Sequence, residues 1–347
     1  MNRRSLVVLV SIAAAALIAA AYLLVADAET ETTASTPTLD TAEDRLTSTV
    51  PYAASAPASA APEATTTTTT AATTRITLSP GSTACDAYET ITTTGIVASP
   101  DIVEASGMAA SRTRPGTLWA HNDSRDGARV YAIGPDGSNL GGFDIAGAFA
   151  FDWEDMAAGT SGEAATSSLY FGDIGDNFSI RGGRITVYRV SEPDPATLDG
   201  PIEGAAALEF EYPDGVYNAE ALFVADDSLY VVTKDDDEAR VYRGDATRDE
   251  TGVETLEFVV SLDLDAQVSG ADVSWDGATI ALRGYRTVWL WHRSAGVSVA
   301  EAFTAEPCLA PSPEEVQGES IAFLADGAYA TISEGRNPDL FVVPFGK

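Results

Sequence analysis

Over most of the chain, apolar and polar residues alternate in short runs that recur in a fixed order. Each unit opens with an acidic or small polar residue followed by an apolar stretch: "EASGMAAS" from Glu104, "DWEDMAAG" from Asp152, "NAEALFVAD" from Asn218, "SGADVSWDG" from Ser269 and "QGESIAFLAD" from Gln317. Aligned on one another, these place Ser106, Glu154, Glu220, Ala271 and Glu319 in one column, at spacings of 48, 66, 51 and 48 residues. A second run comes next in each unit ("TLWAHND", "SLYFGDIGDN", "SLYVVTKDDD", "TIALRGY", "AYATISEG"), then a third ("RVYAIGPDG", "RITVYRVSEPD", "ARVYRGD", "TVWLWHRS", "DLFVVPFG"). A fourth is visible in "LGGFDIAG", "ALEFEYPDG", "LEFVVSLDL" and "SVAEAFTA". Val, Tyr, Trp and Phe alternating with polar residues between Asp-Gly and Pro-Asp turns are strand and hairpin signals.

Four strands per unit at a period near 50 predict an all-β chain, a β-propeller of five blades. If the extra residues of the long second unit hide strands, the count becomes six. The fifth unit ends after three strands, and the segment Tyr88–Ser99 has strand composition, so it is expected to supply the missing outer strand and close the ring. Closure would bring the two cysteines, Cys85 and Cys308, to the periphery of neighbouring blades, where they are expected to form a disulfide; two unpaired thiols is the other reading. The propeller is assigned to residues 81–347.

Upstream the pattern changes character. After Arg3 and Arg4 an uncharged run extends from Ser5 to Val25 and ends at Ala26-Asp27-Ala28. It is long for a secretory h-region and long enough to span a bilayer, so residues 1–28 read as a signal anchor or a cleaved signal peptide. Either way the chain beyond residue 28 is expected to be exported: tethered to the cell membrane through that helix alone, or secreted. Residues 29–80 are rich in Thr, Ala, Ser and Pro and are expected to be a disordered stalk, plain or glycosylated.

A formal net charge of −32 excludes phosphate backbones and anionic lipid surfaces as natural partners, so no nucleic acid is expected. The absence of any CxxC or Cys/His spacing excludes a structural zinc site.

Parity places the chemistry. In an up-and-down blade the start of strand one and the end of strand two lie at the same edge. Glu104, Asp152, Glu154, Glu220, Asp272 and Glu319 sit at the first place. His121, Asn122, Asp123, Asp173, Asp176, Asn177, Asp235–Asp237 and Glu334 sit at the second. All are expected on one face, around the mouth of the central channel. Carboxylates gathered so closely repel one another unless a cation neutralises them, and hard oxygen ligands suit calcium. The expected metal ligands are Glu154, Glu220 and Glu319, with Asp152 and Glu104 nearby. His121, Asp123, Asp173 and Asp176 are the candidates for catalysis. Against this, Asp, Asn and Gly also make turns for backbone reasons alone, and "DIGDN" lacks the length and final Glu of an EF-hand. Trp119, Trp153 and His292 read as structural. Arg125, Arg181, Lys234, Arg283, Arg286 and Arg336 would hold an anionic ligand or balance neighbouring acids.

Residues 104–347, about 70 % of the chain, resemble exported bacterial β-propellers of the class that includes NHL, TolB-like and esterase-like phytase-related repeats. The phrases "LWAHNDSRD", "DWEDMA", "LYFGDIGDN", "ARVYR" and "QGESIAF" resemble the pattern of an actinobacterial group. The blade starts at Glu154 and Glu319 are similar to those of five-bladed calcium-activated nucleotidases, which implies a central calcium; the basic and aromatic nucleotide site of those enzymes is not matched. Two function classes remain open. One is a monomeric binding module taking a small anionic molecule or a cell-envelope component. The other is a metal- or carboxylate-dependent hydrolase of phosphoesters or glycosides.

Overall fold

The computed structural model describes residues 83–346 apart from 124–125, 161–166, 236–237 and 250. The signal or anchor segment, the stalk, Arg125 and Asp236–Asp237 therefore lie outside the described residues. The described chain begins with a 3-10 turn at Ala84–Ala87 and strand β1 (Thr92–Ile96). Five sheets of antiparallel neighbours then come in sequence, the last of them taking β1 as its outer strand. Sheet I is β2 (Ala105–Ala110), β3 (Leu118–Asn122), β4 (Arg129–Ile133) and β5 (Asn139–Asp144). Sheet II is β6 (Trp153–Thr160), β7 (Ser167–Asp173), β8 (Arg184–Ser191) and β9 (Ala206–Glu211). Sheet III is β10 (Ala219–Ala225), β11 (Ser228–Thr233), β12 (Ala239–Asp245) and β14 (Glu257–Leu262), and β13 (Val253–Thr255) leaves this unit to pair in parallel with β9 of sheet II. Sheet IV is β15 (Gly270–Val273), β16 (Thr279–Gly284), β17 (Thr287–His292) and β18 (Cys308–Ala310). Sheet V is β19 (Gly318–Phe323), β20 (Tyr329–Ser333), β21 (Asp339–Val343) and, as its outer strand, β1.

The innermost strands pack in a ring: β2 on β6, β6 on β10, β10 on β15, β15 on β19, and β19 back on β2. The chain is an all-β, five-bladed propeller, and among the described residues the long second unit holds no sixth blade.

Alternation of side chains explains why the sheets stack. Along β10, Ala221 and Phe223 enter the core shared with sheet IV, whereas Leu222 and Val224 enter the core shared with sheet II. Each inner strand is thereby apolar on both faces, with successive residues serving different neighbours. Five separate cores result, one at each blade interface. Trp119 and Trp153 are buried in the core between sheets I and II and act as packing residues.

The ring closes where β1 pairs antiparallel with β21, Thr92 opposite Val342 and Ile96 opposite Asp339. Cys85 and Cys308 form a disulfide across a separation of 223 residues. In the chain-entropy model a loop of that size contributes about 5 kcal/mol.

Two expectations are corrected here. "SVAEAFTA" is not the outer strand of sheet IV. Ser298 caps a short helix, α1 (Val299–Ala302), in a capping box with Glu301, and Val299, Ala302 and Phe303 point into the core. The outer strand is β18, so Cys308 lies within it rather than after it. Asp272 also does not reach the mouth. It is buried in β15, where its carboxylate accepts from Val273 N at 2.7 Å and from Phe323 N of sheet V at 2.7 Å.

Candidate functional site

The register confirms the parity on which the site rests. The start of each inner strand faces the end of the second: Ala105 opposite Asn122, Trp153 opposite Asp173, Ala219 opposite Thr233, Gly270 opposite Arg283, Gly318 opposite Ser333. In four sheets the register slips at that point, between Ala105 and Met108, Trp153 and Asp155, Ala219 and Ala221, and Gly318 and Ser320. The column residues Ser106, Glu154, Glu220 and Glu319 lie within these β-bulges, and a bulge re-aims a side chain away from the regular two-residue alternation. Sheet IV, which carries Ala271 in the column, pairs without a bulge.

Three carboxylates converge. One oxygen from each of Asp123, Asp152 and Glu154 lies within 4.8 Å of the others. Glu154 is only 4 % exposed. Among the described residues no donor hydrogen-bonds its carboxylate. Room for this cluster depends on Gly175, where a Cβ would collide with Glu154 Oε1 and stand 2.5 Å from Asp152 Oδ2. Burial, and then the charges of Glu220, Asp123 and Asp152, push the Glu154 carboxyl well above the usual carboxylate range. Burial and the Asp123 charge push Asp152 up to about 6.

The other two column glutamates are engaged differently. Glu220 binds Lys234 Nζ at 2.6 Å and accepts from Asn218 Nδ2 at 3.2 Å. Burial still raises it, while Lys234 opposes the shift. Glu319 accepts from Gln317 Nε2 at 2.9 Å. Burial and the charges of Glu334 and Glu220 raise it to about 8. Glu334, beside Glu319, is itself raised, first by burial. Glu104 contributes its carbonyl, which accepts from Asp123 N at 2.8 Å and so fixes the Asp123 backbone at the rim.

The remaining candidates hold the scaffold. Asp173 accepts from Asp152 N at 3.1 Å and Phe151 N at 3.3 Å and binds Arg181 Nη1 at 2.6 Å. Asp176 closes its loop by accepting from Ile180 N at 2.8 Å and Arg181 N at 3.1 Å. His121 is fully buried, edge-on to Trp153 at 5.5 Å, with Nδ1 2.8 Å from the Asn122 carbonyl oxygen. Burial lowers its pKa, which favours the neutral ring. Arg283 pairs with Glu315 in the interior between sheets IV and V.

Asp155, one position past Glu154, is a structural residue that sequence reasoning passed over. It is fully buried, and its carboxylate accepts from Met156 N at 2.8 Å, Leu222 N at 2.8 Å and Ala271 N at 3.0 Å. One side chain of sheet II thus ties down sheets III and IV beneath the mouth. The signal available in the sequence was a second acid directly after the column residue, which nothing distinguished from another mouth carboxylate.

No protein-family model matches the chain, and no curated protein sequence is significantly similar to it. Solved structures overlap with it at low identity. The PQQ-bound form of an aldose sugar dehydrogenase from Streptomyces coelicolor is 14 % identical over 73 % of this chain and 97 % of its own, with a TM-score of 0.42. XC5397 from Xanthomonas campestris, a gluconolactonase, is 13 % identical over 78 % of this chain and 94 % of its own, with a TM-score of 0.45. These overlaps carry no argument about activity. The class of protein is read from its own sheets: a five-bladed β-propeller with a ring of carboxyls at one end of its axis.

Proposed function

We propose that the domain is an exported binding module that holds a hard divalent cation, calcium by its donor set, at the acidic mouth. The observation that carries this reading is Glu154, a residue 4 % exposed whose carboxyl has no hydrogen-bond donor among the described residues and has an oxygen within 4.8 Å of oxygens of Asp123 and Asp152. An unpaired buried carboxylate is costly, and a cation between three of them removes both the desolvation and the repulsion. Asp123, Asp152 and Glu154 would be the protein ligands, all hard oxygens, with waters and any bound ligand completing the six to eight that calcium takes. Glu220 is neutralised by Lys234 and would act from the next position outward.

Two further observations support export and display. A disulfide belongs to oxidising compartments. The chain also enters at the end opposite the mouth: Tyr88 bridges to Phe345 and Thr92 pairs with Val342, whereas Ile96 reaches Asp339 at the mouth end. The resemblance to calcium-activated nucleotidase blade starts agrees with a cation at this place and extends to no activity.

One observation favours the hydrolase reading. Burial and the charges of Glu334 and Glu220 raise the Glu319 carboxyl to about 8, the direction that a general acid requires. A screen of chromogenic phosphoesters and glycosides, with Glu319→Gln as control, tests that alternative. The cation is tested by metal analysis of the purified domain and by thermal melts with and without chelator. Co-purifying calcium and a melting temperature lowered by chelator are expected; an unchanged melt with no metal refutes the reading.

A further inference from the structure

The exposed large apolar side chains are unevenly placed. Phe149, Phe151, Phe178 and Ile180 are 60, 40, 61 and 66 % exposed, and all four lie in mouth loops of sheet II. Val216, also exposed, joins them from the loop between β9 and β10, with its Cγ2 in range of a Cβ at Gly183. Phe149, Phe151 and Ile180 line a groove of about 370 Å³ whose wall continues over Tyr188 and Phe210. Contiguous exposed apolar surface of this kind marks an interaction site.

Asp173 and Glu209 line the groove, and the loops that form it also carry mouth acids. Phe151 precedes Asp152, and the loop bearing Phe178 and Ile180 leaves β7 through Asp173 and Gly175, the glycine that fits against Glu154. Each of the two arginines that line the groove has a carboxylate beside it. Arg181 is bound to Asp173 at 2.6 Å and lies 5.4 Å over the Phe151 ring, and Arg184 stands 4.0 Å from Glu211. At the mouth, the Lys234 ammonium is bound to Glu220, and its charge is shared among Glu154, Glu220, Glu319 and Glu334. With or without a divalent cation at Asp123, Asp152 and Glu154, the apolar shelf therefore borders a negative field.

We infer that this shelf and the adjoining acids form a docking surface for a cationic, apolar peptide segment. Its aliphatic or aromatic side chains would lie in the groove of Phe149, Phe151 and Ile180, and its lysines or arginines would face Asp152 and the outer glutamates. Charge complementarity selects this occupant: an acidic peptide would meet the same-sign field of the mouth, and a purely apolar one would leave the acids unused.

The test is fluorescence anisotropy of a labelled short peptide of alternating lysine and leucine, titrated with the domain. Two control peptides replace lysine by glutamate or leucine by serine. The variant is Phe149→Ser combined with Ile180→Ser, both lining the groove and well exposed, and its melting temperature is compared with that of the parent to verify folding. The lysine–leucine peptide is expected to bind with a salt-dependent affinity, about tenfold tighter than either control, and to lose about tenfold in the variant. Equal binding of the glutamate peptide, equal binding of the serine peptide, or an unchanged affinity in a folded variant each overturns the proposal. So does concentration-dependent dimerisation of the domain that the variant abolishes, since a second copy would then cover the shelf. Repeating the titration with Glu154→Gln separates the two readings. Loss of calcium binding with retained peptide binding leaves the docking surface standing, and a domain that binds the peptide but no metal refutes only the cation.

Discussion

Removing the Asp155 carboxylate should loosen the propeller at its axis more than any change at the rim. Its Oδ2 atom accepts from Leu222 N and from Ala271 N, and its Oδ1 from Met156 N, at 2.8–3.0 Å. In Asp155→Ala, the backbone N–H groups of Leu222 and Ala271, on residues that are 0 and 1 % exposed, lose their acceptor. Each stranded buried donor costs about 1–3 kcal/mol, so the loss should be about 2–6 kcal/mol. Asp155→Asn keeps the shape and one oxygen. That oxygen can serve Leu222 and Ala271 together while the amide nitrogen opposes Met156 N–H, so the loss should be about 1–3 kcal/mol. Burial holds the Asp155 carboxyl well above its usual range, and relief of that penalty moves both figures toward their lower ends. Urea denaturation monitored by fluorescence gives the two values, with unchanged m-values as the condition for reading them as stability. An Asp155→Ala loss below about 1 kcal/mol would mean that water already satisfies these amides, and the bracing argument would be refuted.

The site carries further expected outcomes. Gly175→Ala places a Cβ against Glu154 Oε1 and Asp152 Oδ2, so calcium affinity, measured by calorimetry, should fall by about tenfold or more while the far-UV spectrum is unchanged. The pH dependence has a definite sign. Asp152 is raised to about 6 and Glu319 to about 8, so the folded metal-free domain binds more protons than the unfolded chain between about pH 4 and pH 8. Its stability should therefore be highest near pH 4–5 and fall as pH rises through 6 to 8, and added calcium should recover more of the melting temperature at pH 8 than at pH 5.5. Metal-free stability that rises across that interval would contradict the raised pKa values.

The five-fold repeat was legible because each unit shows its strand order through alternation and its turns through Gly, Asp and Pro. The bulged glutamate column was legible because it recurs at the same place in the unit. The lone strand near Tyr88–Ser99 could be placed because the last unit was one strand short, and the cysteines could be paired from that closure. What failed depended on local detail that period alone does not carry. "SVAEAFTA" alternates well enough to pass for a strand, and the Ser298–Glu301 capping box was the sign of a helix. The bulge between Trp153 and Asp155 lets two adjacent acids serve different purposes, Glu154 at the mouth and Asp155 across the axis, and no sequence period separates them. Lys234 was expected to hold an anionic ligand or to balance neighbouring acids, and it balances Glu220, because β10 and β11 bring the ends of two strands together.

The most direct test of the cation reading is isothermal titration of calcium into the chelator-treated domain at pH 7.5, in parallel with Glu154→Gln. The account predicts one site per domain in the parent, with protons released on binding, and a loss of about tenfold or more in the variant. Absence of heat in the parent, or identical isotherms for the two proteins, would contradict it.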